Sequence, residues 1–339
     1  MKKITNITKE LSNTLYQGWI KEECGSSFIT FFTPTYKRPH LLNRIYDCLN
    51  KQTIRNFVWI LVNDGSNDNT DEVAEKLILR NDFPACYISK QNGGKHSAFE
   101  VAFSRCQTEF FACMDDDDIY ELNSVEVFLR EWDRIKKECR DDIGAIRVLS
   151  AESTGDIVTN ARITADMFEK RIDQTTFISN YVKHEHMENW TCYSTNALSQ
   201  IDLFPHSYWL SEHHKFYSET LWQGRFARKF KCRYYYHILR EYRYDTESSI
   251  LRGPKSRQHY MDMFINMFLL LNEQYDWVSR NLLDLLKKCL IVSVLRCRLH
   301  ISFADMLSHT KSYRLKMFYL MLYPFGFFTN KPKFITTNK

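Results

Sequence analysis

The residues of this 339-residue chain that most strongly suggest chemistry are four consecutive aspartates, Asp115 to Asp118. They follow directly on residues 110–114, an apolar run that predicts a buried strand. Four adjacent carboxylates repel one another unless a cation neutralises them. No cysteine or histidine with metal-ligand spacing lies nearby, so these hard oxygen atoms favour Mg²⁺ or Mn²⁺ over zinc. A solvated acidic turn before the next helix is the alternative interpretation.

Two further polar segments also follow predicted strands. Residues 63–66 (Asn-Asp-Gly-Ser) come after an apolar run, and the carboxylate of Asp64 could accept hydrogen bonds from a base or a ribose. Residues 92–95 (Asn-Gly-Gly-Lys) open a predicted helix, where a glycine pair, a helix N-terminus and Lys95 together suit a phosphate. Each segment is weak evidence alone, because the first is also a good turn and the second lacks the spacing of a phosphate-binding P-loop.

The elements that must position these segments alternate between two periodicities. Short apolar runs at residues 27–33, 57–62, 85–88 and 110–114 predict strands, and helical patterns occupy residues 39–51, 70–80, 95–106 and 124–138. Apolar strands separated by helices of this length indicate a parallel sheet covered on both faces. In such a sheet, ligands bind at the carboxyl ends of the strands, where all three polar segments fall. Residues 151–250 are less regular, and helical periodicity dominates from about residue 256 to residue 323.

The order of the segments carries more information than any one of them. Residues 33–38 (Thr-Pro-Thr-Tyr-Lys-Arg), residues 63–70, residues 92–95 and the aspartate cluster occur in the order and at the intervals found in family 2 glycosyltransferases, and the chain resembles that family over about residues 27–125. The Gly-Gly-Lys-His variant looks like enzymes that assemble bacterial surface polysaccharides. The resemblance implies an α/β fold of the GT-A (nucleotide-diphospho-sugar transferase) type, with a mostly parallel sheet flanked by helices and a helical C-terminal extension.

The same resemblance implies a role for several residues of the nucleotide-binding half. The turn Pro34-Thr35-Tyr36 would pack against the uracil of a UDP-sugar. Asp64 would bind the uracil or the ribose, and Lys95 would lie near the pyrophosphate.

The aspartate cluster stands where the family has its Asp-x-Asp metal motif. Asp117 is the best candidate for a direct ligand of Mn²⁺ or Mg²⁺, together with Asp115. Asp116 would contact the ribose or the metal, and Asp118 receives no role.

Glu219 is the candidate catalytic residue of the acceptor half. Residues 218–222 (Ser-Glu-Thr-Leu-Trp) resemble a family segment that usually reads Glu-Asp, in which the aspartate is the general base. A glutamate can perform the same proton transfer, and residues 242–244 (Tyr-Arg-Tyr) resemble the segment that follows in the family, which supports this register. Attack by the deprotonated acceptor hydroxyl in one displacement would invert the anomeric configuration. The alternative is an exposed glutamate in the first turn of a helix, stabilised by the helix dipole.

Composition excludes a disordered or low-complexity chain, since 44% of the residues are hydrophobic and only 10 are glycine and 7 proline. The 10 cysteines form no Cys-x-x-Cys pair, which favours reduced thiols. The first residues contain no apolar leader segment, so a cytoplasmic location is expected, including the cytoplasmic face of the inner membrane.

The C-terminal region differs in charge from the rest of the chain. Residues 287–339 contain ten Lys or Arg and one acidic residue, Asp305, and residues 317–328 are apolar and aromatic. Basic residues beside an apolar patch suit peripheral contact with an anionic membrane, and a helix packed on the protein is the alternative. No nucleic-acid-binding motif accompanies the charge, so nucleic acid is not an expected partner.

The sequence therefore predicts an inverting, metal-dependent glycosyltransferase that uses a UDP-sugar and a hydroxyl acceptor, a glycan or lipid-linked saccharide, in bacterial surface polysaccharide (capsule) synthesis. The expected organisation is an N-terminal extension (1–26), a catalytic domain (27–250, with the nucleotide-sugar side at 27–125 and the acceptor side at 126–250) and a helical basic region (251–339). Two competing hypotheses are a metal-dependent nucleotidyl or phosphoryl transferase, for which no second basic cluster is found, and a non-catalytic nucleotide-sugar-binding or membrane-binding protein.

Overall fold

The computed structural model describes residues 7–22, 28–183, 185, 187–243 and 256–327. The chain forms two compact units. The first comprises Met1–Thr176, Glu185–Ile201 and Phe226–Asp245, and the second comprises Phe177–His184, Asp202–Arg225 and Thr246–Lys339. The domain boundaries predicted at residues 26/27 and 250/251 stay predictions. None of the helices in these described ranges is both long and apolar enough to cross a membrane.

A mixed sheet forms the centre of the first unit. Its strands in the described residues are β1 (Ile7–Ser12), β2 (Ile29–Thr35), β3 (Phe57–Asn63), β4 (Ala85–Lys90), β5 (Phe110–Cys113), β6 (Ile119–Tyr120), β7 (Ile143–Ala151), β8 (Arg171–Gln174), β9 (Asn189–Ser194) and β10 (Lys231–Glu241). They are ordered β1-β4-β3-β2-β5-β9-β7-β10-β6, with β8 also paired to β10. Strands β4, β3, β2 and β5 are mutually parallel, so their carboxyl ends lie at one edge.

Helices cover both faces of this sheet, because its strands are apolar on both sides. The first unit contains α1 (Thr14–Glu22), α2 (Pro39–Asn50), α3 (Thr70–Leu79), α4 (Lys95–Arg105), α5 (Ser124–Lys137) and α6 (Thr195–Ser199). Consecutive residues of a strand point to opposite faces. Phe31 packs with Phe57 and Trp190 on one face, whereas Phe32 packs with Phe99 of α4 on the other. Both phenylalanines are fully buried.

The predicted α/β alternation is confirmed from β2 to α5, with element ends displaced by at most two residues. The nine-residue strand β7 was not predicted, although every one of its residues is buried. Trp190 lies in the core, 2% exposed, as expected for a packing residue. The nine described cysteines are all free thiols, and Cys24 lies outside the described residues.

The second unit is helical, as the C-terminal periodicity predicts. Its helices are α8 (Arg257–Glu273), α9 (Tyr275–Val278), α10 (Leu282–Leu299), α11 (Phe303–Ser308) and α12 (Tyr313–Leu322). Helix α7 (Glu219–Ala227) belongs to this unit as far as Arg225. Serine or asparagine side chains cap the N-termini of four of these helices by accepting a backbone N–H of the first turn: Ser256, Asn281, Ser302 and Ser312. Helices α8, α10 and α12 surround a separate hydrophobic core.

Candidate active site

Asp64 stands at the carboxyl end of β3 and organises the neighbouring glycine loop. Its carboxylate Oδ1 accepts hydrogen bonds from Lys90 Nζ (2.6 Å) and from the backbone N–H of Gly93 (3.0 Å). Its Oδ2 accepts from the backbone N–H of Gly94 (2.7 Å) and from Asn92 Nδ2 (3.2 Å). A carboxylate has about four lone-pair positions, so these four donors match its capacity. Asp64 is only 5% exposed.

Lys90 neutralises this buried carboxylate and ends β4. Its side chain is 4% exposed, and its ammonium group also donates to the carbonyl of Gln91 (2.5 Å) and to Ser97 Oγ (2.7 Å). A lysine has three donors, and all three are used. The ion pair therefore ties β3, β4 and the first turn of α4 together.

Two glycines, one in the Asn-Asp-Gly-Ser turn and one in the glycine loop, leave no room for a Cβ atom. A Cβ atom on Gly65, which has a φ of +77°, would lie 2.5 Å from the backbone nitrogen of Asn92. A Cβ on Gly93 would lie 2.4 Å from Ser97 Oγ. The Asn-Asp-Gly-Ser turn and the Gly-Gly loop are therefore packed against each other, which explains why both sequences occur together in this chain.

Lys95, the first residue of α4, meets the aspartate cluster. Its ammonium nitrogen lies 2.8 Å from Asp115 Oδ1, and both side chains are about one-third exposed. Burial by itself raises the pKa of Asp115, but the positive charge of Lys95 outweighs that effect and holds the pKa below its ordinary value. Asp115 is therefore a carboxylate at neutral pH, and it already has a cationic partner.

Asp116 and Asp117 share a second cation, Arg38. Its Nη1 donates to Asp116 Oδ1 (3.1 Å) and to Asp117 Oδ2 (2.7 Å). Asp116 is 3% exposed and also accepts from Thr35 Oγ1 (2.7 Å). Burial raises its pKa to about 6, although the bonds from Thr35 and Arg38 oppose that rise. Asp117, by contrast, keeps a quarter of its side-chain surface in solvent.

Asp118 is 1% exposed. Its Oδ1 accepts the backbone N–H of Arg243 (3.1 Å), and its Oδ2 lies 3.4 Å from Arg240 Nη1 on β10. Burial raises its pKa to about 7, with Arg240 acting in the opposite direction. Asp118 therefore joins the cluster to β10, a structural role that the sequence did not reveal.

The turn predicted to face a nucleobase lies at the end of β2. Thr35 is buried and bonded to Asp116, whereas Tyr36 is 44% exposed with Lys37 Nζ 5.2 Å from its ring centre. Pro34 is partly exposed. Tyr36 thus offers an aromatic surface at the same edge as the aspartate cluster.

The donor chemistry of this edge suits a hard divalent cation. Asp115 and Asp117 are partly exposed carboxylates, and hard oxygen ligands are those that Mg²⁺ prefers. Each of them is at present paired with Lys95 or Arg38. Within the described residues, no group of three or more His, Cys, Asp or Glu side chains is arranged to hold a metal ion.

Glu219 lies in the second unit, as the first residue of α7, and its side chain is exposed. The backbone N–H of the preceding residue, Ser218, donates to Asn266 Oδ1 of α8 (2.8 Å). Six residues further on, Arg225 forms a bidentate pair with Glu273. These contacts fix the start of α7 on α8. Of the supporting segment, Tyr242 and Arg243 are described and Tyr244 lies outside the described residues.

Arg38, Lys90 and Arg240 are the residues of this site to which sequence reasoning assigned no role. A signal for Lys90 existed in the strand alignment. Asn63 and Ser89 are the last paired residues of the parallel strands β3 and β4, so Asp64 and Lys90 follow at equivalent positions. Opposite charges at the ends of two adjacent buried strands are expected to pair.

The comparisons with known proteins agree with this architecture. The family model described as "Glycosyl transferase family 2" matches residues 30–188. An uncharacterised glycosyltransferase of Rickettsia typhi is 31% identical over 107 residues, which is 32% of this chain and 32% of the relative. Chondroitin synthase of Pasteurella multocida is 35% identical over 105 residues, 31% of this chain and 11% of the synthase. The match thus spans a third or less of the length of these relatives.

Solved structures extend the likeness beyond the matched segment. The crystal structure of S. aureus TarS 1–349 in complex with UDP-GlcNAc has a TM-score of 0.53 to this chain, at 16% sequence identity, and the alignment covers 87% of this chain and 79% of TarS 1–349. At this identity the likeness concerns the fold, and it confirms the predicted GT-A architecture with its helical C-terminal region.

Proposed function

Residues 30–188 of this chain form a family 2 glycosyltransferase domain, and we propose that the chain transfers a sugar from a UDP-sugar to a hydroxyl group of a glycan or lipid-linked saccharide. The observation that carries the proposal is the convergence of four separate sequence motifs. Thr35 bonds to Asp116, Arg38 to Asp117, and Lys95 to Asp115, while the Asp64 turn carries the loop that precedes Lys95. Segments far apart in sequence therefore build one polar edge at the carboxyl ends of parallel strands, where such sheets bind ligands.

The donor would lie along this edge. Tyr36 would stack on the uracil, and Lys95 would face the negatively charged pyrophosphate. Asp64 would bind the uracil or the ribose. Because four donors already occupy its carboxylate, a hydrogen bond to the nucleotide would have to replace one of them. Crystal structures of S. aureus TarS in complex with UDP and with UDP-GlcNAc support the choice of a UDP-sugar.

Asp117 and Asp115 would hold Mn²⁺ or Mg²⁺. A divalent ion at this position supplies charge neutralisation for the departing nucleoside diphosphate. Asp117 and Asp115 are paired with Arg38 and Lys95, so these cations would have to release the carboxylates for them to hold the ion. Arg38 and Lys95 would then be available to bind the diphosphate oxygens.

Glu219 would remove the proton of the acceptor hydroxyl as it attacks the anomeric carbon. One displacement breaks the bond between the sugar and UDP on the face opposite the attack, so the product would have the inverted configuration. We propose that the acceptor belongs to bacterial surface polysaccharide synthesis at the cytoplasmic face of the inner membrane. The similarity to chondroitin synthase and hyaluronan synthase of Pasteurella multocida supports a polysaccharide product.

The proposal is tested by incubating the full chain with a panel of UDP-sugars in the presence of Mn²⁺. We expect one of them to raise the melting temperature and to be hydrolysed slowly to UDP and free sugar. Asp117→Asn should abolish Mn²⁺-dependent UDP binding, whereas Glu219→Gln should bind UDP normally and fail to transfer. If Glu219→Gln transfers at the wild-type rate, another residue is the base. If UMP and a sugar 1-phosphate are formed instead of UDP and free sugar, the chain cleaves the pyrophosphate bond and is a nucleotidyl or phosphoryl transferase.

A further inference from the structure

Helix α12 is apolar on two opposite sides. Leu315, Tyr319 and Leu322 form a buried stripe in the core of the second unit. Met317, Leu320 and Met321 form a second stripe and are 48%, 48% and 53% exposed. The first stripe accounts for the packing of the helix on its own unit, and the second stripe is left facing outward.

The outward stripe continues beyond the three central residues. Tyr313 at the start of the helix is 74% exposed, and Phe325 just after its end is 54% exposed. Residues 313, 317, 320 and 321 follow the spacing of one face of α12, and Phe325 lies beyond the helix in the short 3-10 helix Pro324–Phe327. A helix on the surface of a protein normally turns polar residues outward. A continuous apolar strip in that position therefore marks a surface that contacts something other than water.

The charge around the strip identifies the chemistry of its partner. Arg314 in the first turn of α12 and Lys311, which precedes the N-cap residue Ser312, are exposed. Residues 311–339 contain six Lys or Arg and no Asp or Glu, and three of those lysines lie in residues 328–339, outside the described part of the chain. A second copy of the chain would bring the same positive charge to the contact, so self-association through this face is disfavoured. An anionic partner with an apolar layer beneath its charge fits both features.

We propose that the outward face of α12, defined by Tyr313, Met317, Leu320, Met321 and Phe325, binds the surface of a membrane that contains anionic lipid. The apolar side chains enter the region between headgroups and acyl chains, and the exposed Lys311 and Arg314 bind lipid phosphates. A ten-residue helix is about 15 Å long, half of the ~30 Å hydrocarbon core, so α12 lies in the plane of the interface. The benefit of this contact, access to a lipid-linked acceptor, rests on the proposed function, but the contact itself does not.

The experiment is flotation of the full chain with vesicles of phosphatidylcholine alone or of phosphatidylcholine with 30% phosphatidylglycerol. We expect binding to the anionic vesicles, at least tenfold weaker binding to the neutral ones, and release as salt is raised, because salt screens the basic residues. The variant L320E/M321E should lower binding to anionic vesicles at least tenfold. The single variant Leu320→Glu should also lower this binding. Its matched control is Leu79→Glu, which places the same single charge on a 71% exposed leucine of α3 in the first unit and should bind as wild type does.

Circular dichroism and UDP binding of the same variants separate the two proposals. Both substitutions are at exposed positions, so the variants should melt like the wild type and bind UDP equally well. The membrane proposal is overturned if the wild-type chain stays in the aqueous fraction, if L320E/M321E floats like the wild type, or if Leu79→Glu loses binding to the same extent. Failure of the wild type to bind any nucleotide-sugar would refute the proposed function and leave the vesicle result standing.

Discussion

Replacing Lys90 by methionine should test whether the buried Lys90–Asp64 pair holds the site together. The two side chains are 4% and 7% exposed and their charged atoms are 2.6 Å apart. Methionine retains most of the aliphatic length of lysine but removes the charge and its three donors. Asp64 then keeps its bonds from Gly93, Gly94 and Asn92 but loses its counter-ion in a dry environment.

The size of the effect follows from this geometry. Removing one partner of a buried ion pair costs about 3–5 kcal/mol, because the remaining charge is uncompensated. Because Asp64 keeps three hydrogen bonds, we expect a loss in the free energy of unfolding near the lower end of this range, about 3 kcal/mol. For a unit of 150–250 residues each kcal/mol lowers the melting temperature by about 2–4 °C, so a fall of about 6–12 °C is expected. Asp64→Asn combined with Lys90→Met removes both charges and should recover part of this loss.

The assay is thermal unfolding of the full chain, followed by hydrogen exchange of the Gly93 and Gly94 amides. These amides should exchange faster in Lys90→Met, because the carboxylate that binds them is no longer held in place. UDP affinity should fall in the same variant. Lys76→Met, an exposed lysine of α3, is the control and should change neither property. A Lys90→Met protein that melts within about 2 °C of the wild type, with unchanged exchange at both glycines, would refute the reasoning.

Three further predictions concern the same edge. In the absence of nucleotide, Arg38→Met should bind Mn²⁺ about three- to tenfold more tightly, because Asp117 loses a competing cation. Calorimetry measures this affinity, and weaker or unchanged binding would contradict the prediction. Asp118 has a folded-state pKa of about 7, which is above its unfolded value, so the folded state favours the protonated carboxyl. Its contribution to the free energy of unfolding is therefore complete at acidic pH and is lost as the pH rises from about 4 to 7. The melting temperature should therefore be higher at pH 5 than at pH 8, and Asp118→Asn should reduce that difference; a steeper dependence in the variant would exclude the assignment. Gly65→Ala should lower the free energy of unfolding by more than about 1 kcal/mol, because its Cβ would meet Asn92, and urea unfolding measures this loss. The variant should also bind UDP more weakly in calorimetry. A variant as stable as the wild type would show that the turn adapts.

Local signals in the sequence were sufficient to predict the strands β2–β5 and the helices α2–α5 of the first unit. Apolar runs such as residues 57–62 alternate with helical patterns and are bounded by turn residues, which favours strands of a covered parallel sheet. Helices α2 and α3 begin where proline and acidic residues favour a helix start, at Pro39 and at Asp71 and Glu72. Strand β7 escaped prediction because a short apolar run has no periodicity that separates a buried strand from a buried helix.

The sequence also determined which polar segments meet, since the carboxyl ends of parallel strands share one edge. The tertiary structure alone decided how the charges within that edge are paired. Arg38 reaches two aspartates across 78 and 79 residues of chain, and Arg240 reaches Asp118 from β10. Asp116 and Asp118 have raised pKa values and their neighbour Asp115 has a lowered one, although all three are aspartates in one short segment. Burial and the position of each cation differ from one carboxylate to the next, and both depend on packing between distant segments.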